Sequence, residues 1–159
     1  MTMRLLASAA VLALAGGCSS SSPDAQPQPA TSSPSLCATD SRAEAFSAGM
    51  EQMGSSGALG VKLTSIDPNP VFKGDNDWKV TVVDASGNAV VGATITAKPF
   101  MPDHGHGSSI VPTVTEAGGG SYDVNHLNLF MPGIWQVTFA VTTAAGVHDA
   151  AVFTFCVDD

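Results

Sequence analysis

Apolar residues recur at every second position along most of this chain, from residue 58 to near the C-terminal end. This is the period of a β-strand with one buried face and one exposed face. The clearest stretch holds Trp135, Val137, Phe139 and Val141, which alternate with glutamine, threonine and alanine. Turn residues interrupt the pattern about every 8 to 12 positions. We therefore predict an all-β fold, an immunoglobulin-like antiparallel β-sandwich of about seven strands.

A different pattern precedes the strands. Ser41 and Glu44 have the spacing of a helix-capping box, in which two side chains bond free backbone N–H groups at the start of a helix. Phe46, Met50 and Met53 follow at intervals of four and three residues, which places them on one helical face. We predict a short N-terminal helix over residues 41–53, with both methionines packed in the core.

The first 17 residues have the pattern of an export signal. Arg4 precedes an apolar run over residues 5–15, which is too short to span a bilayer because about 20 residues are needed. Small residues then lead to Cys18, as in bacterial lipoprotein signals, where the cysteine carries the lipid. The alternative is an ordinary secretory signal with an incidental cysteine. Either interpretation predicts export; the first adds a lipid anchor at Cys18, facing the periplasm or in the outer membrane.

Composition divides the remainder of the chain. Residues 18–36 are rich in serine and proline and carry one charge, Asp24, so this segment is predicted to be a disordered tether. Residues 37–159 suffice for one domain with its own core. We thus expect a signal peptide (1–17), a tether (18–36) and a folded domain (37–159).

The charge balance narrows the choice of ligands. Fourteen Asp and Glu against six Lys and Arg give a net charge of -8, which argues against nucleic-acid binding and against electrostatic attachment to anionic lipid. Cations remain suitable ligands. The sequence shows neither a Gly-x-Ser-x-Gly motif nor a glycine-rich loop that opens a helix, which are signatures of activated serines and phosphate sites. We expect a binding protein rather than an enzyme.

With Cys18 assigned to lipid, Cys37 and Cys156 remain, one at each end of the predicted domain. In an oxidising compartment an even pair of this kind predicts a disulfide. The alternative is a pair of thiol ligands in a metal site, but the two cysteines lack close spacing and a nearby third ligand.

Candidate metal ligands are concentrated in residues 101–107, Met-Pro-Asp-His-Gly-His-Gly. This segment offers Met101, Asp103, His104 and His106, and a second Met-Pro-Gly turn at 131–133 adds Met131. Thioether and imidazole together suit Cu(I), whereas imidazole and carboxylate suit Cu(II) or Zn(II). The two histidines are two positions apart, so in an extended segment they face the same way. These five residues form the predicted metal site, with copper as the candidate cofactor.

The same segment also fits a purely structural turn, shaped by its glycines and proline. In that interpretation the histidines bond the backbone and the methionines close the open end of the core. The sequence leaves both interpretations open. The two other histidines, His126 and His148, lie in predicted strands and are expected to be ordinary strand residues.

Several motifs taken together resemble the YtkA-like domain family, which is related to FixH. They are residues 76–82 with Asp84 and Gly87, and residues 91–93, 101–107, 120–122 and 131–135. The resemblance covers about residues 60–155 and implies an exported β-sandwich. For FixH-like members it implies a link to copper delivery or cytochrome oxidase assembly. Asp103 and His104 stand where members often carry a second methionine, so a Met-rich Cu(I) site is incomplete here.

Two candidate functions follow. The first is a lipid-anchored domain that binds or handles copper in the cell envelope, with an envelope protein or an oxidase assembly component as partner. The alternative is a non-metal immunoglobulin-like adaptor or structural domain that binds another envelope protein.

Overall fold

The computed structural model describes Ser35, Cys37 and residues 39–159. Within this part of the chain there are nine β-strands and no helix. The strands are β1 (Met50–Met53), β2 (Leu59–Asp67), β3 (Gly74–Asp84), β4 (Thr94–Met101), β5 (His106–Gly107), β6 (Thr113–Gly118), β7 (Ser121–Leu129), β8 (Gly133–Thr142) and β9 (His148–Val157). The predicted signal peptide, Cys18 and nearly all of the predicted tether lie outside the described residues.

The strands form two antiparallel sheets. One sheet has the order β1-β2-β3-β7-β6, and the other has the order β5-β4-β8-β9. The all-β prediction and the two-sheet architecture are therefore confirmed, with nine strands in place of about seven. In the part of the chain that is described, no helix is long and apolar enough to cross a membrane.

The core lies between the two sheets and follows the predicted alternation. Trp135, Val137, Phe139 and Val141 are all buried on β8. Trp78 on β3 reaches across to the other sheet, where its ring centroid lies 5.3 Å from that of Phe155. Each large side chain buried in this way stabilises the fold by about 1.5–3 kcal/mol relative to exposure.

The predicted helix over residues 41–53 was wrong. Met50–Met53 forms β1, in which Met50 pairs with Leu63 of β2. Met50 packs against the core, but Met53 is 41% exposed, contrary to the prediction. Gly49 has a φ of 87°, in the left-handed region, and directs the chain into β1.

Glu44 does not cap a helix; it forms hydrogen bonds with a strand. The Glu44 N–H donates to the Thr154 carbonyl at 2.8 Å, and its carboxylate accepts from the Thr154 N–H at 2.7 Å. Glu44 therefore binds the edge of β9. Because a short isolated helix is only marginally stable, bonds to existing strand edges decide the conformation of residues 39–53.

The predicted disulfide is present. Cys37 and Cys156 are joined with an S–S distance of 2.13 Å and lie 119 residues apart in the sequence. Together with the Glu44–Thr154 pairing, the disulfide fixes residues 39–49, named here the N-terminal strap, against β9.

Candidate metal site

The donor-rich segment forms the hairpin between β4 and β5. Met101 pairs with His106, and residues 102–105 make the connecting turn. The N–H groups of His104 and Gly105 both donate to the Met101 carbonyl, at 3.3 and 2.9 Å. Gly105 has a φ of 70°, which a glycine adopts without strain. We call residues 100–107 the histidine hairpin.

The two histidine rings of this hairpin lie close together. Their centroids are 5.6 Å apart, and their planes are inclined by 64°. His104 is exposed and His106 is half-buried. A metal ion bonded at about 2.0–2.1 Å to one nitrogen of each ring can bridge rings at this separation. The hairpin therefore presents a close pair of imidazoles, one exposed and one half-buried.

Aromatic neighbours hold the ring of His106. It stacks on Phe130, with centroids 5.5 Å apart and an interplanar angle of 24°, and it meets the edge of Trp135 at 6.4 Å. Trp135 is fully buried, whereas Phe130 is 45% exposed. Packing of this kind restricts the orientation of the His106 ring.

The second Met-Pro-Gly turn lies beside the histidine hairpin because β4 and β8 are neighbours. The Trp135 indole N–H donates to the Met131 carbonyl at 2.8 Å, which fixes this turn. Met101 is fully buried, and its methyl carbon would be 2.8 Å from a Cβ placed on Gly133. The two turns are therefore in contact. Met101 lies in the core, while Met131 is half-buried and packs against the core.

The carboxylate of Asp103 is bound by Arg42 of the N-terminal strap. The Arg42 Nη1 and Nη2 atoms donate to the two oxygens of Asp103, each at 2.7 Å. Arg42 also bonds Asp40, with 2.6 Å between Nη2 and Oδ2. Side-chain hydrogen bonds from Arg42 lower the pKa of Asp103, and they lower the pKa of Asp40 to about 2. Both carboxylates are thus ionised at neutral pH.

The five predicted ligands therefore occupy distinct environments. His104 and His106 form a close pair, Met101 and Met131 belong to the adjoining turns, and Asp103 is engaged by Arg42. Among the described residues, only Cys37, Cys156 and Asp158 form a converging group of three His, Cys, Asp or Glu side chains. The two sulfurs of that group are joined in the disulfide, which removes the alternative of a thiolate metal site. The assignment of the five ligands stays a prediction.

The sequence matches the YtkA-like family over residues 55–140, more than half of the chain. The chain belongs to the YtkA-like family. The match includes both the histidine hairpin and the second Met-Pro-Gly turn, and it confirms the family predicted from the motifs. No curated protein matches the sequence.

Among solved structures, the YtkA-like domain is similar to a copper-bound variant of FetP from uropathogenic Escherichia coli strain F11. The identity is 13%, the match covers 69% of this chain and 94% of the FetP chain, and the TM-score is 0.45. At this level of likeness, the metal of that protein does not transfer to this chain.

The two remaining histidines have strand neighbours of their own. His126 on β7 has a φ of 60°, and its backbone N–H donates to Asp77 at 3.0 Å. The His148 Nδ1 atom lies 2.9 Å from the Thr142 hydroxyl, at the opposite end of β8 from Gly133. Both lie on strands, as expected, although the left-handed backbone of His126 departs from an ordinary strand conformation.

Sequence reasoning missed two residues of this region of the YtkA-like domain. Phe130 directly precedes the second Met-Pro-Gly turn, so its position was a usable signal for an aromatic neighbour. Arg42 is 61 residues from Asp103 and lies in a segment predicted to be helical, so nothing in the sequence indicated the contact.

Proposed function

We propose that this YtkA-like domain binds copper through His104 and His106. The observation that carries the proposal is the pair of imidazole rings with centroids 5.6 Å apart, one of them held by Phe130 and Trp135. Imidazole is a good ligand for copper in both oxidation states. A binding role agrees with the sequence, which shows no motif typical of an activated nucleophile.

The nearby thioether favours Cu(I). Met131 is half-buried in the turn that lies beside the histidine hairpin, so its thioether is the more accessible of the two in this region. Met101 is fully buried, and its sulfur is reached only by disturbing the core. Asp103 is paired with Arg42. The available donors are thus imidazole and thioether, a softer set than imidazole and carboxylate.

A competition titration of the purified protein with Cu(I) and Cu(II) tests the proposal. We expect His104→Ala or His106→Ala to weaken copper binding at least tenfold, or about 1.4 kcal/mol, and Met131→Leu to weaken Cu(I) binding. His148→Ala, which lies away from the hairpin, is the matched control and should leave the affinity unchanged.

Tryptophan fluorescence gives an independent readout of the same site. The Trp135 ring lies 6.4 Å from the ring of His106, so Cu(II) at the hairpin should quench its emission. The proposal is wrong if wild type and all variants bind alike, or if wild type binds more weakly than about 10 μM, where surface sites compete.

We further propose that the domain is lipid-anchored at Cys18, facing the periplasm or in the outer membrane. The support is the export pattern of residues 1–17, the cysteine that follows it, and a disulfide of the kind that persists in oxidising compartments. We expect Cys18→Ala to move the protein expressed in a bacterial host from the membrane fraction to the soluble fraction. Membrane retention equal to that of wild type would contradict this assignment.

One observation favours an adaptor role as the second candidate. One edge of β4 is paired with β5 only at Phe100 and Met101. Over residues 94–99, no described strand pairs with this edge. A cleft of about 320 Å³ runs beside it, lined in part by the exposed Ile110 and Val111. The two antiparallel sheets also support this candidate, because β-sandwiches are common among cell-surface domains. Capture of an envelope protein, such as an oxidase assembly component, that persists under chelator discriminates this role from copper binding.

A further inference from the structure

We propose that Arg42 sets the metal preference of the histidine hairpin by withholding the Asp103 carboxylate from it. The inference rests on the proposed function, since it concerns which ions the His104 and His106 pair accepts. Arg42 is a positioning residue in this proposal: it acts through Asp103 and is not itself a ligand.

The backbone that carries Arg42 is held in place against β9. The N-terminal strap that carries it is tied to β9 by the Cys37–Cys156 disulfide and by the pairing of Glu44 with Thr154. From there the guanidinium donates to both oxygens of Asp103 at 2.7 Å. A bidentate ion pair of this kind is geometrically specific and engages both carboxylate oxygens.

Asp103 directly precedes His104, so a released carboxylate is the natural third donor for an ion held by the two histidines. In the described structure these three side chains do not converge on one point. A divalent ion that recruits Asp103 must break the pairing and also approach the positive charge of Arg42. The pairing therefore penalises ions that require a carboxylate more than ions that do not.

The two donor sets suit different metals. Two imidazoles with a carboxylate are ligands that Zn(II) and Cu(II) prefer, whereas imidazoles with a thioether suit Cu(I). With Arg42 in place, the hairpin offers only its imidazoles and the neighbouring Met131. The structure thus assigns to Arg42 a bias against Zn(II) and toward Cu(I).

The pairing can be removed without unfolding the protein. The side chains of Arg42 and Asp103 are 43% and 49% exposed, and ion pairs in contact with water contribute little to stability. The variants Arg42→Ala, Asp103→Asn and the double variant are therefore expected to fold as wild type does. Their metal affinities then report on the hairpin alone.

The test compares Zn(II) and Cu(I) competition titrations of the purified full chain. We expect Arg42→Ala to raise the affinity for Zn(II) at least tenfold and to change that for Cu(I) less than threefold. Asp103→Asn and the double variant should show no Zn(II) gain, because the carboxylate is gone. Lys62→Ala is the matched control: it also removes one surface cation paired with a carboxylate, Glu51, but on β2, and should leave both affinities unchanged.

Each outcome separates this inference from the proposed function. Wild type that binds Cu(I) through the histidines, with Zn(II) affinity unaltered by Arg42→Ala, overturns the inference and leaves the proposed function standing. A Zn(II) gain that persists in the double variant does not need the Asp103 carboxylate, and a gain that appears in Lys62→Ala reflects net charge; either result also overturns the inference. Wild type that binds neither Cu(I) nor Cu(II) overturns the proposed function, and a Zn(II) gain that depends on Asp103 still supports the role of Arg42.

Discussion

Replacing both Cys37 and Cys156 with serine is expected to lower the free energy of unfolding by about 4 kcal/mol. The disulfide joins residues that are 119 positions apart, so it constrains the unfolded chain over most of the length of the domain. In the loop-entropy description, closing so long a loop is worth about 4 to 5 kcal/mol. Urea denaturation measures the loss directly, and the midpoint of thermal unfolding should fall by roughly 10–20 °C.

The matched control for this prediction is the wild-type protein unfolded in the presence of a thiol reductant. It should approach the stability of the double serine variant, because both lack the same covalent link. A difference of less than about 1 kcal/mol between oxidised wild type and the serine variant would contradict the prediction. Such a result would mean that contacts of the N-terminal strap alone hold residues 39–49 against β9.

Replacing Asp149 with asparagine is expected to cost about 3 kcal/mol of stability. Asp149 is a buried residue on β9 whose carboxylate accepts hydrogen bonds from the loop between β1 and β2 and from the first residue of β2. Its donors include the Ser56 N–H at 3.1 Å, the Ser56 hydroxyl at 2.6 Å, the Ala58 N–H at 3.0 Å and the Leu59 N–H at 3.2 Å. An asparagine amide supplies one acceptor oxygen and sets its own N–H groups against these donors. Part-buried donors and the buried Leu59 N–H are then left unpaired, at about 1–3 kcal/mol for a fully buried group.

Asp149 should also make the free energy of unfolding depend on pH in acid. The Ser56 hydroxyl, followed by backbone N–H groups, holds the pKa of Asp149 well below its ordinary value. A depressed pKa means that the stabilisation is complete above the unfolded-state pKa of about 3.9 and is lost as pH falls below it. Wild type should therefore lose stability between about pH 4 and pH 2 more steeply than Asp149→Asn.

Chemical denaturation across this pH range checks the prediction. Glu51→Gln is the control, because it removes a carboxylate from an exposed ion pair with Lys62 on neighbouring strands. It should cost less than about 1 kcal/mol. Equal losses for the two variants at neutral pH, or parallel pH profiles for wild type and Asp149→Asn, would show that the loop does not depend on this carboxylate.

The sequence predicted those parts of the fold that local pattern determines. Trp135, Val137, Phe139 and Val141 are buried as expected, because alternation along a strand directly reports which face meets the core. The pattern over residues 41–53 predicted a helix wrongly, since Glu44 and Met50 bond strand edges that are distant in the sequence. β5 was not predicted because it is two residues long, which is too short for an alternation of apolar and polar residues to be visible in the sequence.

The sequence indicated which donor residues belong to the candidate site, but not how they are arranged in space. His104 and His106 were found because their chemistry and spacing are visible in the sequence. The contact between the histidine hairpin and the Met-Pro-Gly turn at residues 131–133 depends on β4 and β8 being neighbours, which residue types alone do not encode. The engagement of Asp103 by Arg42 depends on where the disulfide places the N-terminal strap, so it appears only in three dimensions.

The shortness of β5 bears on how quickly a bound ion would leave. Only two register pairs join β5 to β4, whereas ten join β8 to β9. Segments with few ladder bonds open on their own, far more often than the whole domain unfolds. The residence time of an ion on His104 and His106 would thus be governed by local opening of the histidine hairpin, while the sandwich beneath it stays intact. In hydrogen exchange, the amides of β5 would exchange long before those of β8.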